Sequence, residues 1–178
     1  RQRMAQVKNF CSDYARDFFV ERHSFSKAQS SPSLLFLGNT GLGKTHLSLA
    51  IAGQVINKGY GVIYGSAQNL LAKLEKEKFS FNNTEDQPQS YLSLVLECDL
   101  LILDDLGTEF LSQFVTAMLY NIINTRLLEG RPTIISTNLS FQEISKRYTD
   151  RLTSRLFGGY IHFEFLGRDI RIQSKIMG

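Results

Sequence analysis

Three groups of polar residues in this chain each follow directly on a short apolar run, and together they have the types and spacing that work on phosphates demands. In "GNTGLGKTH" (38–46), Gly38, Gly43, Lys44 and Thr45 fit the pattern G-x-x-x-x-G-K-[ST], with an apolar run before it and a helical pattern after it. Phosphate oxygens are gripped by backbone N–H groups turned inward, which a glycine-rich turn permits without Cβ clashes, and the following helix adds its positive end. The expected cradle is Gly38, Asn39, Thr40, Gly41, Leu42, Gly43, Lys44, Thr45 and His46, with the Lys44 ammonium on the β- and γ-phosphates and the Thr45 hydroxyl on Mg²⁺. An accidental glycine-rich turn is the plain alternative, and the flanking strand and helix argue against it.

A phosphate loop of this kind also needs a second anchor for Mg²⁺. In "LLILDDLG" (100–107), four apolar residues form a buried strand that ends in Asp104 and Asp105. Two acids at a strand end are costly unless a cation or water sits beside them. Asp104 is the expected metal-side carboxylate, acting mostly through water, and Asp105 the residue that orients or deprotonates an attacking water. Glu109 is a rival base. The third group is Asn138 in "IISTNLS" (134–140), placed to hydrogen-bond the water or the γ-phosphate, although an asparagine that starts a turn or caps a helix reads the same way locally.

The elements that must hold these groups alternate. An amphipathic helix over 3–20 comes first, and strands are expected at 33–38, 61–66, 99–105, 131–137 and 160–167. Between them the periodicity predicts helices over Thr45–Lys58, Ala67–Lys78, Gln89–Glu97, Phe114–Glu129 and Phe141–Tyr148, then a short helix within "TDRLTSRLFGGY" (149–160). Alternation of strand and helix argues a parallel sheet covered on both faces. The loop "FNNTEDQPQ" (81–89) is too short to divide the chain into domains.

Bulk properties narrow the class. With 178 residues, 43% hydrophobic content and 21% charged residues, the chain can bury one core, and a formal charge of +3 permits an anionic partner without requiring one. Cys11 and Cys98 are far apart and lack metal-ligand spacing, which fits a reducing cytoplasm, and no apolar run is long enough to span a bilayer. The chain opens on "RQRMAQ" rather than on an initiator Met, so the expectation is a fragment with an N-terminal part missing.

The P-loop, "LLILDDLG", "STN" and "SRL", in that order, resemble an AAA+ ATPase. The wording "GNTGLGKTHLSLAIA" with "LLILDDLGTE" resembles the bacterial replicative helicase loaders of the DnaC/DnaI type and their transposition-helper relatives, over Leu34 to Arg171. The resemblance implies an α/β, three-layer P-loop NTPase core with a five-stranded parallel sheet. Because the chain stops at Gly178, a core without a C-terminal helical lid domain is expected, with residues 1–32 as N-terminal helix and linker and 33–178 as the ATPase core. It further implies a sensor-1 role for Asn138, an arginine-finger role for Arg155 and a sensor-2-like role for Arg171. ATP or ADP with Mg²⁺ would be the ligands, and single-stranded DNA and a DnaB-type replicative helicase the partners, the helicase through the missing N-terminal region. Family members typically carry Asp-Glu where this chain has Asp104-Asp105; a shorter carboxylate implies slow, assembly- or DNA-dependent hydrolysis.

Arg151 and Arg155 lie four residues apart and so share one face of a helix. The resemblance implies that this helix faces a neighbour's nucleotide rather than its own, which makes the pair the main indication of self-assembly into a ring or helical oligomer. Arg151 is the lesser partner, contacting phosphate, DNA or the adjacent subunit. Plain surface arginines on a packed helix are the alternative. Lys73, Lys76 and Lys78 with Phe79 and Phe81 form a candidate DNA path, and Lys146, Arg147 and Arg151 a second basic cluster; for the first set a solvated helix face with Phe packed inward is the favoured explanation. His23, His46 and His162 share no ligand spacing. Three functions stay open beside helicase loading: transposition helper, nucleotide-gated single-stranded DNA binder with little hydrolysis, and P-loop kinase. The last is disfavoured because no arginine-rich insertion separates the strands.

Overall fold

Five short apolar runs become strands; the three central ones are buried on both faces of the sheet, and the two at its edges are only partly covered. The computed structural model describes residues 2–21, 30–80 and 90–167. Within them β1 is Ser33–Leu37, β2 Val62–Ser66, β3 Leu100–Leu106, β4 Thr133–Thr137 and β5 Tyr160–Glu164. All pairings are parallel and the order across the sheet is β2-β3-β4-β1-β5. The helices are α1 Gln2–Arg16, α2 Lys44–Asn57, α3 Ala67–Ser80, α4 Tyr91–Glu97, α5 Gln113–Leu128, α6 Phe141–Arg147 and α7 Asp150–Gly159. This is the expected three-layer α/β fold.

Side chains alternate across the strands and feed two cores. Leu35, Leu101, Leu103 and Ile135 face α3 to α7, where they meet Leu71, Val95, Leu119, Ile144, Leu152 and Leu156. Leu34, Phe36, Leu100, Ile102 and Ile134 face the other way, onto Ile51, Ala52 and Val55 of α2 and Val7, Cys11 and Tyr14 of α1. Tyr14 also donates its hydroxyl to the Pro32 carbonyl at 2.9 Å, which ties α1 to the entry of β1. The strand expected to reach Gly167 ends at Glu164; beyond it Phe165 turns its ring onto Phe36 while its N–H still donates to Leu37 O at 2.7 Å. No helix among the described residues is long and apolar enough to cross a membrane.

Short polar residues set the helix starts. Ser90, Ser112 and Thr149 each accept a hydrogen bond from the third residue beyond them at the N-termini of α4, α5 and α7. Ser140 and Glu143 form a reciprocal capping box on α6. These caps stop the neighbouring loops from fraying, so the strand ends they adjoin present fixed side chains.

One arginine is structural. Arg126 of α5 is 0% exposed. Its guanidinium donates to Val95 O, Leu96 O and Cys98 O at 2.9, 3.0 and 2.9 Å, to Pro132 O at 2.7 Å and to Thr133 Oγ1 at 2.9 Å. It closes the C-terminus of α4, whose last carbonyls are the negative end of that helix. Arg126→Leu would leave those acceptors buried and unpaired, at about 1–3 kcal/mol each before relaxation. The expected net loss is about 3–4 kcal/mol, a fall of about 1.5–2 M in urea midpoint at unchanged slope. A midpoint shift under about 0.5 M would show that the carbonyls find other partners.

Candidate active site

The loop after β1 is shaped by glycines that no other residue can replace without strain. Gly38 has φ 137°, and a Cβ there would fall 2.3 Å from the Phe165 carbonyl oxygen. The chain therefore passes tightly beneath Phe165 before turning into α2, whose first residue is Lys44. Lys44 is 5% exposed. Its ammonium donates to Gly38 O at 2.5 Å, Asn39 O at 2.8 Å and Asn138 Oδ1 at 2.8 Å. Asn138 follows β4, which pairs directly with β1, so sheet order alone brings the two residues together across 94 positions of sequence.

β3 lies on the far side of β4 and delivers the two aspartates. The register between β3 and β4 breaks between Leu103 and Leu106, and Asp105 takes φ 52°, the one left-handed non-glycine residue among those described. A bulge re-aims side chains that would otherwise point to opposite faces, and aspartate tolerates the left-handed region better than a longer acid. Local strain of this kind clusters at functional sites. Asp104, 4% exposed, accepts on Oδ2 from Thr45 Oγ1 at 2.8 Å. The Asp105 carboxylate meets Asn138 Nδ2 at 3.5 Å.

Two further residues reach the Asp104 carboxylate. Ser136 of β4 donates its hydroxyl to Asp104 Oδ1 and accepts the Asp105 N–H at 3.1 Å, filling the gap left by the bulge. Tyr64 of β2 donates to Asp104 Oδ2 at 3.0 Å. Burial, with help from Asp104, pushes the Tyr64 phenol up to about 12, so it stays a donor at neutral pH. Neither position carries a motif. Only the β2–β3 and β3–β4 pairings reveal them.

Asp104 accepts from three hydroxyl donors, one of them Thr45 Oγ1. Two hard oxygen donors from adjacent elements fit a divalent cation that takes its other ligands from phosphate and water. No cluster of three His, Cys, Asp or Glu among the described residues could hold a metal alone. A cavity of about 570 Å³ opens over this floor, lined by Thr40, Gly41, Leu42, Gly43, Lys44, Thr45, His46, Leu49, Asp105 and Asn138. Leu49, exposed on α2, is a lining residue that the pattern alone does not mark.

Other expected groups lie elsewhere. Arg151 and Arg155 are exposed on α7 outside this cavity, and Arg151 lines a separate hollow of about 500 Å³ with Ser112, Thr116 and Tyr120. Glu109 is buried and turned away, so it is not placed as a base. Lys73 and Lys78 rest their ammonium groups on the rings of Tyr91 and Phe114, at 3.7 and 4.8 Å from the centroids. His162 packs on Phe157, with Nε2 3.1 Å from Leu156 O. Arg171, His23 and Phe81 lie outside the described residues, as does the side chain of Phe79.

Strand order, phosphate loop and strand-end polar groups define a P-loop NTPase fold of the AAA+ type. The chain belongs to the family of IstB-like ATP-binding proteins, matching it over residues 10–164. The replicative helicase loader DnaC of Escherichia coli K12 is 27% identical over 124 residues, 70% of this chain and 49% of that protein. The ATP-binding protein of insertion sequence IS5376 from Geobacillus stearothermophilus is 28% identical over 148 residues, 80% of this chain and 57% of its own length. The chain thus spans about half the length of these relatives. The crystal structure of the DnaC helicase loader superposes with a TM-score of 0.75 at 24% identity, covering 91% of this chain and 89% of that one, so the fold is shared.

Proposed function

We propose that this chain is the ATP-hydrolysing domain of a helicase loader that acts with single-stranded DNA on a replicative helicase. The observation that carries the reading is the meeting of Lys44, Asn138 and Asp105 at the mouth of one cavity, with the Thr45–Asp104 pair beneath it. Backbone N–H groups of residues 40–46 and the N-terminus of α2 would hold the phosphate tail. Lys44 would release its loop carbonyls and turn to the β- and γ-phosphates. Thr45 and Asp104 would hold Mg²⁺, which supplies charge neutralisation on the phosphate oxygens. Asp105 and Asn138 place a water in line with the γ-phosphorus. As that water attacks, its proton passes to Asp105 and the bond to the β–γ bridging oxygen breaks, giving ADP and phosphate.

Asp105→Asn keeps the shape and loses the base. The expected result is ATP affinity within about threefold of wild type and turnover lowered about 10²-fold, with single-stranded DNA raising turnover only in the wild type. Retained binding with no turnover in either protein, with or without DNA, would sink hydrolysis and leave a nucleotide-gated binding module. A transposition helper is the second reading, favoured by the IstB-like family match and by the insertion-sequence relative, which aligns over more of the chain than the loader does. ATP-dependent co-purification of the full-length protein with a helicase or with a transposase separates the two.

A further inference from the structure

Glu109 and Arg147 are partners, although the sequence offers one as a base and the other as part of a basic patch. Glu109 lies on the loop between β3 and α5 and is 3% exposed. Its carboxylate accepts the Gly107 N–H at 2.8 Å and the Tyr148 hydroxyl at 2.5 Å, and pairs with Arg147 Nη2 at 3.5 Å. The same guanidinium nitrogen donates to the Glu109 carbonyl. Tyr148 is the C-cap of α6 and Thr149 the N-cap of α7, so the carboxylate grips the joint at which the chain turns into the helix of Arg151 and Arg155. On its other side it holds Gly107, two residues after Asp105. That point is itself pinned: Gly107 has φ 109°, and a Cβ there would fall 2.6 Å from Leu139 Cδ1, next to Asn138.

We propose that Glu109, Tyr148 and Arg147 form a clasp that positions α7, so that Arg155 meets the nucleotide of a neighbouring copy of the chain. The proposal rests on the reading of Arg155 as a residue acting in trans. The three are positioning residues, and the reaction they serve is the neighbour's. A buried carboxylate is tolerated only while its lone pairs are filled, and here the donors come from both sides of the joint. Displacing α7 would unpair them in a low-dielectric interior. The apolar contacts of Leu152 and Leu156 with the core are non-directional and do not by themselves fix how α7 is rolled. Burial, and then the Glu109 carboxylate, push the Tyr148 phenol upward, so the donor persists at neutral pH.

A two-population assembly tests this. Donor subunits carry Lys44→Ala and keep Arg155; acceptor subunits carry Arg155→Ala and keep Lys44, so turnover needs a donor arginine at an acceptor site. Tyr148→Phe, which removes one hydroxyl, is then placed in either population. The clasp predicts at least tenfold lower turnover when it sits in the donor and a change under about twofold when it sits in the acceptor, since displacing a catalytic group by about 1 Å costs up to 10²-fold. Glu109→Gln in the donor should reproduce the loss. Equal losses in both populations would mark a general structural role and overturn the proposal, as would no loss in either. No turnover in the parent mixture would sink the in-trans reading, and the clasp with it, at a separate step.

Discussion

Arg155→Ala should leave ATP affinity within about twofold and lower the turnover of the assembled protein by about 10³-fold. Arg155 is exposed on α7, beside the buried Leu152 and Leu156, both at 0% exposure, and it has no hydrogen-bond or ion-pair partner among the described residues. Its loss therefore costs the fold little. It also does not line the chain's own phosphate cavity, so a cis role is not supported. A guanidinium brought from a neighbour neutralises charge that builds on the γ-phosphate oxygens, and such groups are worth about 10³–10⁵ in rate in other phosphoryl-transfer systems. Single-turnover kinetics on assembled protein give the number, and mixing with Lys44→Ala subunits should restore activity. Normal hydrolysis by Arg155→Ala assemblies alone would show that α7 carries only surface arginines.

Lys44→Ala has the larger effect on binding. Lys44 is anchored by three acceptors, two of them carbonyls of its own loop, which hold the ammonium at the cavity wall. With nucleotide it would exchange these for phosphate oxygens at about 1.5–2 kcal/mol per charge-assisted hydrogen bond. Two such bonds amount to about 3–4 kcal/mol, a 10²- to 10³-fold weaker ATP dissociation constant by titration calorimetry. A thermal midpoint within a few degrees of wild type would confirm that the loss is local. An affinity within fivefold of wild type would mean that backbone N–H groups alone hold the phosphates.

The positions of all five strands, and four of the five residues gathered at the cavity, are legible locally. Lys44 and Thr45 belong to one contiguous pattern, and Asp104 and Asp105 end a strand that its apolar run announces. Asn138 was ambiguous, because a strand-end asparagine and a turn-forming one look alike; its 2.8 Å contact with Lys44 settles where it points. The short acid at Asp105 also has a backbone reason. The left-handed φ at that position suits a short acid better.

Sequence by itself determined which elements form and which residues end them, because periodicity, caps and glycine turns act within a few residues along the chain. Tertiary structure alone decided who meets whom. The order β2-β3-β4-β1-β5 seats β4 between the phosphate loop and the aspartates, and so recruits Ser136 and Tyr64 to Asp104 from two separate strands. It also turned Glu109 from a rival base into a buried tie and Arg147 from a basic-patch residue into its partner, and left Arg155 facing outward. Those assignments depend on packing between residues dozens of positions apart, where burial and strand order carry the information and local pattern does not.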